Sequence, residues 1–177
     1  MAKFAKPTFA DLEVNHKTDP SSVHACRVID PTDSNVNTCA CRMSEALVLT
    51  NGLATDRGAI AKLGTGKGDG TAFLLGTYGY GSYANSGRLC PHGIGRGAQD
   101  LGAFLKHHWG SRTLGWGPQA DHHTAPANVI GRRGLVCYIK IPGFSGQGHI
   151  DLWDKTSPGL NRHSYWASET IWFWELE

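Results

Sequence analysis

The sequence has few charged residues and no long apolar run, and each absence excludes a class of protein. Asp, Glu, Lys and Arg make up 18% of the 177 residues against 40% hydrophobic residues, which excludes a disordered tail and a coiled coil. No stretch approaches the roughly 18 apolar residues of a membrane-spanning helix. The N-terminal residues Met1-Ala-Lys-Phe-Ala-Lys-Pro contain no apolar signal region. We therefore expect a chain that is made in the cytoplasm without a signal peptide and does not insert into a membrane.

The features of three common kinds of binding site are missing as well. The formal net charge is only +2, whereas a nucleic-acid surface usually needs a clustered and much larger positive excess, so no nucleic-acid partner is expected. The sequence contains no C-x-x-C or H-x-x-x-H pair, which argues against a zinc ribbon. Its glycine-rich stretch is not a phosphate loop, because Gly68 and not Ser or Thr follows Lys67.

The five cysteines form an odd set. One nucleophile plus two disulfides would account for them, and so would five buried thiols in a reducing compartment. The sequence leaves open whether Cys26, Cys41, Cys90 and Cys137 form pairs. The fifth, Cys39, stands at the start of a predicted helix.

Apolar residues at helical spacing predict two amphipathic helices. The first runs from about Cys39 to Thr50, and either Asn37 or Thr38 supplies an N-cap whose side-chain oxygen accepts a backbone N–H. The second spans roughly Ala98 to Trp109. A short helix entered through a proline and a threonine is also predicted near the N-terminus, between Lys6 and Glu13.

The last third of the chain is rich in β-branched and aromatic residues, which favour strands. The predicted strands are Leu135 to Ile141, Gly148 to Trp153 and Ile171 to Leu176. Helices followed by strands indicate an α+β fold with an antiparallel sheet. The length predicts a single domain over residues 1–177, with a glycine-rich insertion at about 64–97.

Cys39 and His149 are the candidate catalytic pair. A cysteine is nucleophilic as the thiolate, which the positive end of a helix and a facing imidazolium both favour. On an extended strand, His149 and Asp151 point to the same face. A third polar group usually orients the imidazole in such sites, and the candidates are Asp151, Asp154 and Asn161. The backbone N–H of Cys39 is a candidate oxyanion donor.

Both residues also have a purely structural interpretation. A cysteine beside Met43 on a helix can be a small core residue, and a histidine that begins a strand can be a satisfied buried polar group. The protein would then be a non-catalytic module, in which aromatic side chains bind glycan. Rapid alkylation of Cys39 alone near neutral pH is expected of an enzyme and not of such a module.

Four segments of the sequence resemble one known family. The stretch Asn37-Thr38-Cys39-Ala40-x-Arg42-Met43-Ser44-x-Ala46-Leu47 resembles the nucleophile motif of type VI secretion amidase effectors of family 4. The stretch Gly148-His149-Ile150-Asp151-Leu152-Trp153-Asp154 resembles the histidine motif of that family. The opening Lys6-Pro7-Thr8-Phe9 and the aromatic tail from Tyr165 to Trp174 also fit, in the same order along the chain.

The resemblance implies a papain-like fold of the NlpC-like type, with the nucleophile helix packed on an antiparallel sheet. It also implies hydrolysis of the γ-D-glutamyl–meso-diaminopimelate amide in peptidoglycan stem peptides. The type VI machinery would deliver the protein to the periplasm of a rival bacterium, and a cognate immunity protein would block the site in the producing lineage. No metal or organic cofactor is expected.

The resemblance assigns roles to individual residues. Cys39 is the nucleophile and His149 the general base and acid. The third residue of the family is an aspartate a little over ten residues after the histidine, but this sequence has Asn161 in that neighbourhood. An amide can orient an imidazole, and Asp154 or Asp151 are the alternatives. The remaining alternative functions are a papain-like hydrolase or acyltransferase that acts on another amide, and the glycan-binding module.

Overall fold

The computed structural model of the protein describes residues 3–16, 38–63, 75, 78–80, 94–154 and 163–177. Its regular elements are four α-helices and four β-strands within those ranges. They are α1 (Phe9–Asn15), α2 (Cys39–Thr50), α3 (Arg57–Leu63), α4 (Ala98–Trp109), β1 (Leu114–Trp116), β2 (Arg133–Ile139), β3 (Gly148–Asp154) and β4 (Thr170–Glu175). Among the described residues, no helix has the length and apolar composition needed to cross a membrane.

The strands form one antiparallel sheet in the order β1-β4-β2-β3, which confirms the α+β prediction. Helices α2 and α4 pack on β3, and α4 also packs on β2. Both faces of the sheet are covered, and the strands β2 and β3 are buried on both sides although β3 lies at the edge of the sheet. The face toward the helices carries Cys137 and Ile150, and the other face carries Tyr138 and Trp153.

The predicted helices agree with the structure in position, but the capping of α2 differs. Thr38 is the N-cap residue, yet its side chain makes no cap hydrogen bond. Its backbone lies at φ −93° and ψ 0°, and not in the extended conformation from which a cap side chain reaches the following N–H groups. The Thr38 hydroxyl instead accepts a hydrogen bond from Arg42 Nε at 3.2 Å. Asn37, the other candidate cap, lies outside the described residues.

At the N-terminus, Thr8 caps α1 by accepting a hydrogen bond from the backbone N–H of Asp11, as its position in the sequence predicted. The C-terminal residue Glu177 accepts a backbone hydrogen bond from Phe9 at 2.8 Å. The start of α1 is therefore fixed to the end of the chain, beside β4.

The pairing of the cysteines and the predicted glycine-rich insertion both fall partly outside the described residues. Cys41 and Cys137 are buried thiols, so two disulfides are not formed. Cys26 and Cys90 lie outside the described residues. The same holds for most of the predicted glycine-rich insertion at 64–97, of which only residues 75, 78–80 and 94–97 are described.

Candidate active site

The first turn of α2 meets the start of β3, and this brings Cys39 and His149 together. Cys39 Sγ lies 3.9 Å from the carbonyl oxygen of Gly148, and the Cys39 side chain is hydrogen-bonded to the His149 ring. Cys39 is 8% exposed and His149 5% exposed, so both members of the pair are largely buried. The positive end of the α2 dipole stabilises negative charge on a sulfur at this position.

Gly148 is the residue whose backbone makes this approach possible. Its φ of +134° is a conformation that side-chain-bearing residues rarely adopt. A Cβ atom built on Gly148 would lie 2.0 Å from the backbone oxygen of Tyr138 on the neighbouring strand β2. The glycine therefore lets β3 pair closely with β2 immediately before His149.

Asp151 is the acidic group that contacts the histidine. His149 Nε2 lies 3.4 Å from Asp151 Oδ2, and the backbone N–H of Leu152 donates to Asp151 Oδ1 at 2.8 Å. Both side chains lie on the same face of β3, as the strand periodicity predicted. The Asp151 side chain is fully buried, which makes its interaction with the imidazole strong.

The other two candidates for the third group have different positions. Asp154, at the end of β3, forms an ion pair with Arg133 at 3.0 Å, and both side chains are partly exposed. Asn161 lies outside the described residues, so its role stays a prediction.

The electrostatics of the site favour a protonated histidine. Burial alone lowers the pKa of His149, but the hydrogen bonds to Asp151 and Cys39, and the charges of those groups, outweigh burial and raise that pKa from 6.5 to about 10. Burial raises the pKa of Asp151 above its usual value, and the His149 ring, the Leu152 N–H and the charge of His163 only partly offset this rise. At neutral pH the arrangement therefore holds an imidazolium between Asp151 and the Cys39 sulfur.

A comparison with protein families gives one match. The family model described as "Type VI secretion system (T6SS), amidase effector protein 4", or Tae4, matches residues 35–174. The chain belongs to the Tae4 family. Comparison with curated protein sequences gave no match.

Solved structures of Tae4 effectors share the fold. The chain matches Tae4 in the effector–immunity complex Tae4–Tai4 from Salmonella Typhimurium with a TM-score of 0.57 and 17% identity, covering 98% of this chain and 100% of that one. The match to Tae4 in the Tae4–Tai4 complex from Enterobacter cloacae has a TM-score of 0.56 and 16% identity, and it covers 98% of this chain and 100% of that one. The match to Tae4 alone from the same organism has a TM-score of 0.55 and 16% identity, and it covers the full length of both chains. At these identities the likeness shows the fold alone.

The structure adds four residues around the candidate site that the sequence did not indicate. On one side, the Tyr138 ring stacks on His149 with centroids 6.3 Å apart, the Tyr165 ring meets it edge-on at 5.3 Å, and His163 lies 6.2 Å away. On another side, the buried His16 lies next to Asp151. No local pattern marks these residues, because they reach the site from three separate segments of the chain: the end of α1, strand β2 and the residues before β4.

Among the residues that the structure describes, no group of three or more His, Cys, Asp or Glu side chains is arranged to hold a metal ion.

Proposed function

We propose that this protein is an antibacterial peptidoglycan amidase with a papain-like, NlpC-like cysteine mechanism. Its substrate is the amide bond between γ-D-glutamate and meso-diaminopimelate in stem peptides. The observation that carries the proposal is the contact between the Cys39 thiol at the start of α2 and the His149 ring on β3, in a chain of the Tae4 amidase effector family. A thiolate beside an imidazolium is the resting state of a thiol nucleophile.

In the first half of the reaction, the Cys39 thiolate attacks the γ-carbonyl carbon and a C–S bond forms. The backbone N–H of Cys39, at the positive end of α2, is the proposed donor to the oxyanion. The His149 imidazolium then gives its proton to the amine of diaminopimelate as the C–N bond breaks. The products of this half are a γ-glutamyl thioester and the released amine.

In the second half, neutral His149 takes a proton from water, and the water oxygen attacks the thioester carbonyl. The C–S bond breaks, glutamate leaves with a free γ-carboxylate, and the thiolate–imidazolium pair is restored. We assign the orienting role to Asp151, because its carboxylate is 3.4 Å from His149 Nε2 and remains beside the ring throughout. Asn161 is the alternative for this role.

Family membership supports the rest of the proposal. The type VI machinery exports the protein, the protein acts in the periplasm of target bacteria, and a cognate immunity protein protects the producing cells. The solved Tae4–Tai4 complexes are effector–immunity pairs, and an immunity protein of the same kind is the proposed partner here.

The test is a digest of purified meso-diaminopimelate muropeptides, read by mass spectrometry. The wild-type protein is compared with Cys39→Ala and with the matched control Cys41→Ala, which removes a fully buried thiol from the same helix. We expect the wild type and Cys41→Ala to cleave between D-glutamate and diaminopimelate, and Cys39→Ala to be inactive.

Two other outcomes would contradict the proposal. Cleavage by Cys39→Ala would remove this thiol from the mechanism. A folded wild-type protein that cleaves no muropeptide, while Cys39 still reacts faster than the other thiols with iodoacetamide, would indicate a papain-like hydrolase or acyltransferase for another amide.

A further inference from the structure

A second histidine lies against the carboxylate that orients the first. His16 follows the last residue of α1, and its ring is 2% exposed. His16 Nδ1 lies 3.9 Å from Asp151 Oδ1 and has no hydrogen-bond partner among the described residues. Asp151 therefore stands between two imidazoles, with His149 at one carboxylate oxygen and His16 at the other.

Contacts with α2 and α3 hold the end of α1 in place. Arg57 of α3 donates to the backbone carbonyl of Asn15 and forms an ion pair with the buried Glu45 of α2. The Asn15 amide donates to the hydroxyl of Thr50 at 3.1 Å. The backbone N–H of His16 donates to the α1 carbonyls that precede it. The backbone and the helices around it thus fix the position of the ring, and among the described residues Asp151 is the polar group next to Nδ1.

The surroundings of His16 keep it neutral. Burial lowers its pKa most, and the positive charges of His149, Arg42 and Arg57 lower it further, from 6.5 to about 3. A neutral imidazole carries one N–H, and the tautomer with the proton on Nδ1 directs that N–H toward Asp151. A neutral His16 can donate a hydrogen bond to the Asp151 carboxylate without adding a second positive charge that would compete with the His149 imidazolium.

We propose that His16 is a positioning residue, which holds the Asp151 carboxylate by an Nδ1–H donor so that its other oxygen stays directed at His149. The proposal rests on the role given to Asp151 in the proposed cysteine mechanism. At 3.9 Å the contact in this structure is electrostatic and longer than a hydrogen bond. Without the His16 donor, the Leu152 N–H is the one hydrogen-bond donor to Asp151 Oδ1 among the described residues, and the buried carboxylate is a weaker partner for the imidazolium.

The test uses two substitutions of equal shape. In His16→Asn, the side-chain amide presents an N–H near the position of Nδ1, whereas His16→Leu has the same branching and no donor. Both are made in a Cys39→Ala background, where the titration of the His149 ring is followed by NMR. The groups that face this ring are Asp151 on its own strand, Tyr138 on β2, His163 and Tyr165 before β4, and position 39 on α2.

We expect His16→Leu to lower the titration midpoint of His149 by about one unit, a tenfold change in its proton affinity. His16→Asn should leave the midpoint at the value of the Cys39→Ala parent. With Cys39 present, we expect kcat to fall about tenfold in His16→Leu at unchanged KM, and to be restored in His16→Asn.

Two results would overturn the proposal. An unchanged midpoint in His16→Leu would mean that Asp151 does not need the donor. Equal lowering in both variants would mean that the imidazole ring acts by packing alone. If His16→Leu does not fold, His16→Phe replaces it, since it keeps an aromatic ring and lacks the N–H. The titration needs no substrate, so it decides the role of His16 even if muropeptides are not cleaved.

Discussion

Replacement of Asp151 by asparagine tests the electrostatic design of the site. The change keeps the size of the side chain and removes its charge, 3.4 Å from His149 Nε2. The rise in the pKa of His149 from 6.5 to about 10 corresponds to about 5 kcal/mol in favour of the imidazolium, and it is reached against the opposing effect of burial. Asp151 and Cys39 share this stabilisation, and the hydrogen bond to Asp151 is its largest favourable part.

The size of the effect follows from the charge that is lost. An opposite charge at this distance shifts a pKa by about 1 to 3 units, so we expect the pKa of His149 to fall to about 8 in Asp151→Asn. The alkaline limb of kcat/KM should move by the same amount, from near pH 10 to near pH 8. At pH 7 the loss of a fixed imidazole orientation should also reduce kcat about 10²-fold.

The assay is the pH profile of muropeptide cleavage, with Asp154→Asn as the matched control. That control makes the same chemical change on the same strand, but at a partly exposed ion pair with Arg133, and it should leave the profile unchanged. An alkaline limb that stays near pH 10 in Asp151→Asn would refute the assignment of Asp151. If the profile moves in Asn161→Ala instead, Asn161 holds the orienting role.

Two further predictions concern stability. Gly148→Ala should destabilise the fold by more than about 3 kcal/mol and abolish activity, because its Cβ would collide with the Tyr138 carbonyl. The control Gly143→Ala, at φ +76° with open space around it, should cost about 1 to 2 kcal/mol and keep activity. Urea unfolding compares the two variants, and equal losses of stability would contradict the argument that Gly148 permits a close approach of the strands. The raised pKa of His149 should stabilise the protein fully below pH 6.5 and progressively less up to about pH 10, and the lowered pKa of His16 should remove stability as the pH falls from 6.5 toward 3. The free energy of unfolding against pH should therefore flatten above pH 6.5 in Asp151→Asn and below pH 6.5 in His16→Asn, and curves parallel to the wild type would contradict these shifts.

The local sequence was enough to locate the long elements. Helices α2 and α4 each repeat their apolar residues over three turns, and the strands β2, β3 and β4 are rich in β-branched and aromatic residues. The three residues of β1 are too few for a pattern, and α3 contains a glycine that weakens its helical signal. In the structure β1 pairs with β4, and Arg57 of α3 forms an ion pair with Glu45 of α2, contacts that local sequence does not encode.

In the candidate site, too, some features follow from the local sequence and others only from the tertiary structure. The sequence by itself determined that Cys39 begins a helix and that His149 and Asp151 share one face of a strand, because periodicity and helix boundaries are local properties. Only the tertiary structure decided that Asp151, and not Asp154, contacts the imidazole, and that His16 lies behind it. The His149–Asp151 contact depends on the side-chain conformations along β3, which the spacing alone does not fix. The His16 contact depends on where the end of α1 lies relative to β3, and no spacing along the chain encodes the distance between side chains that come from different segments.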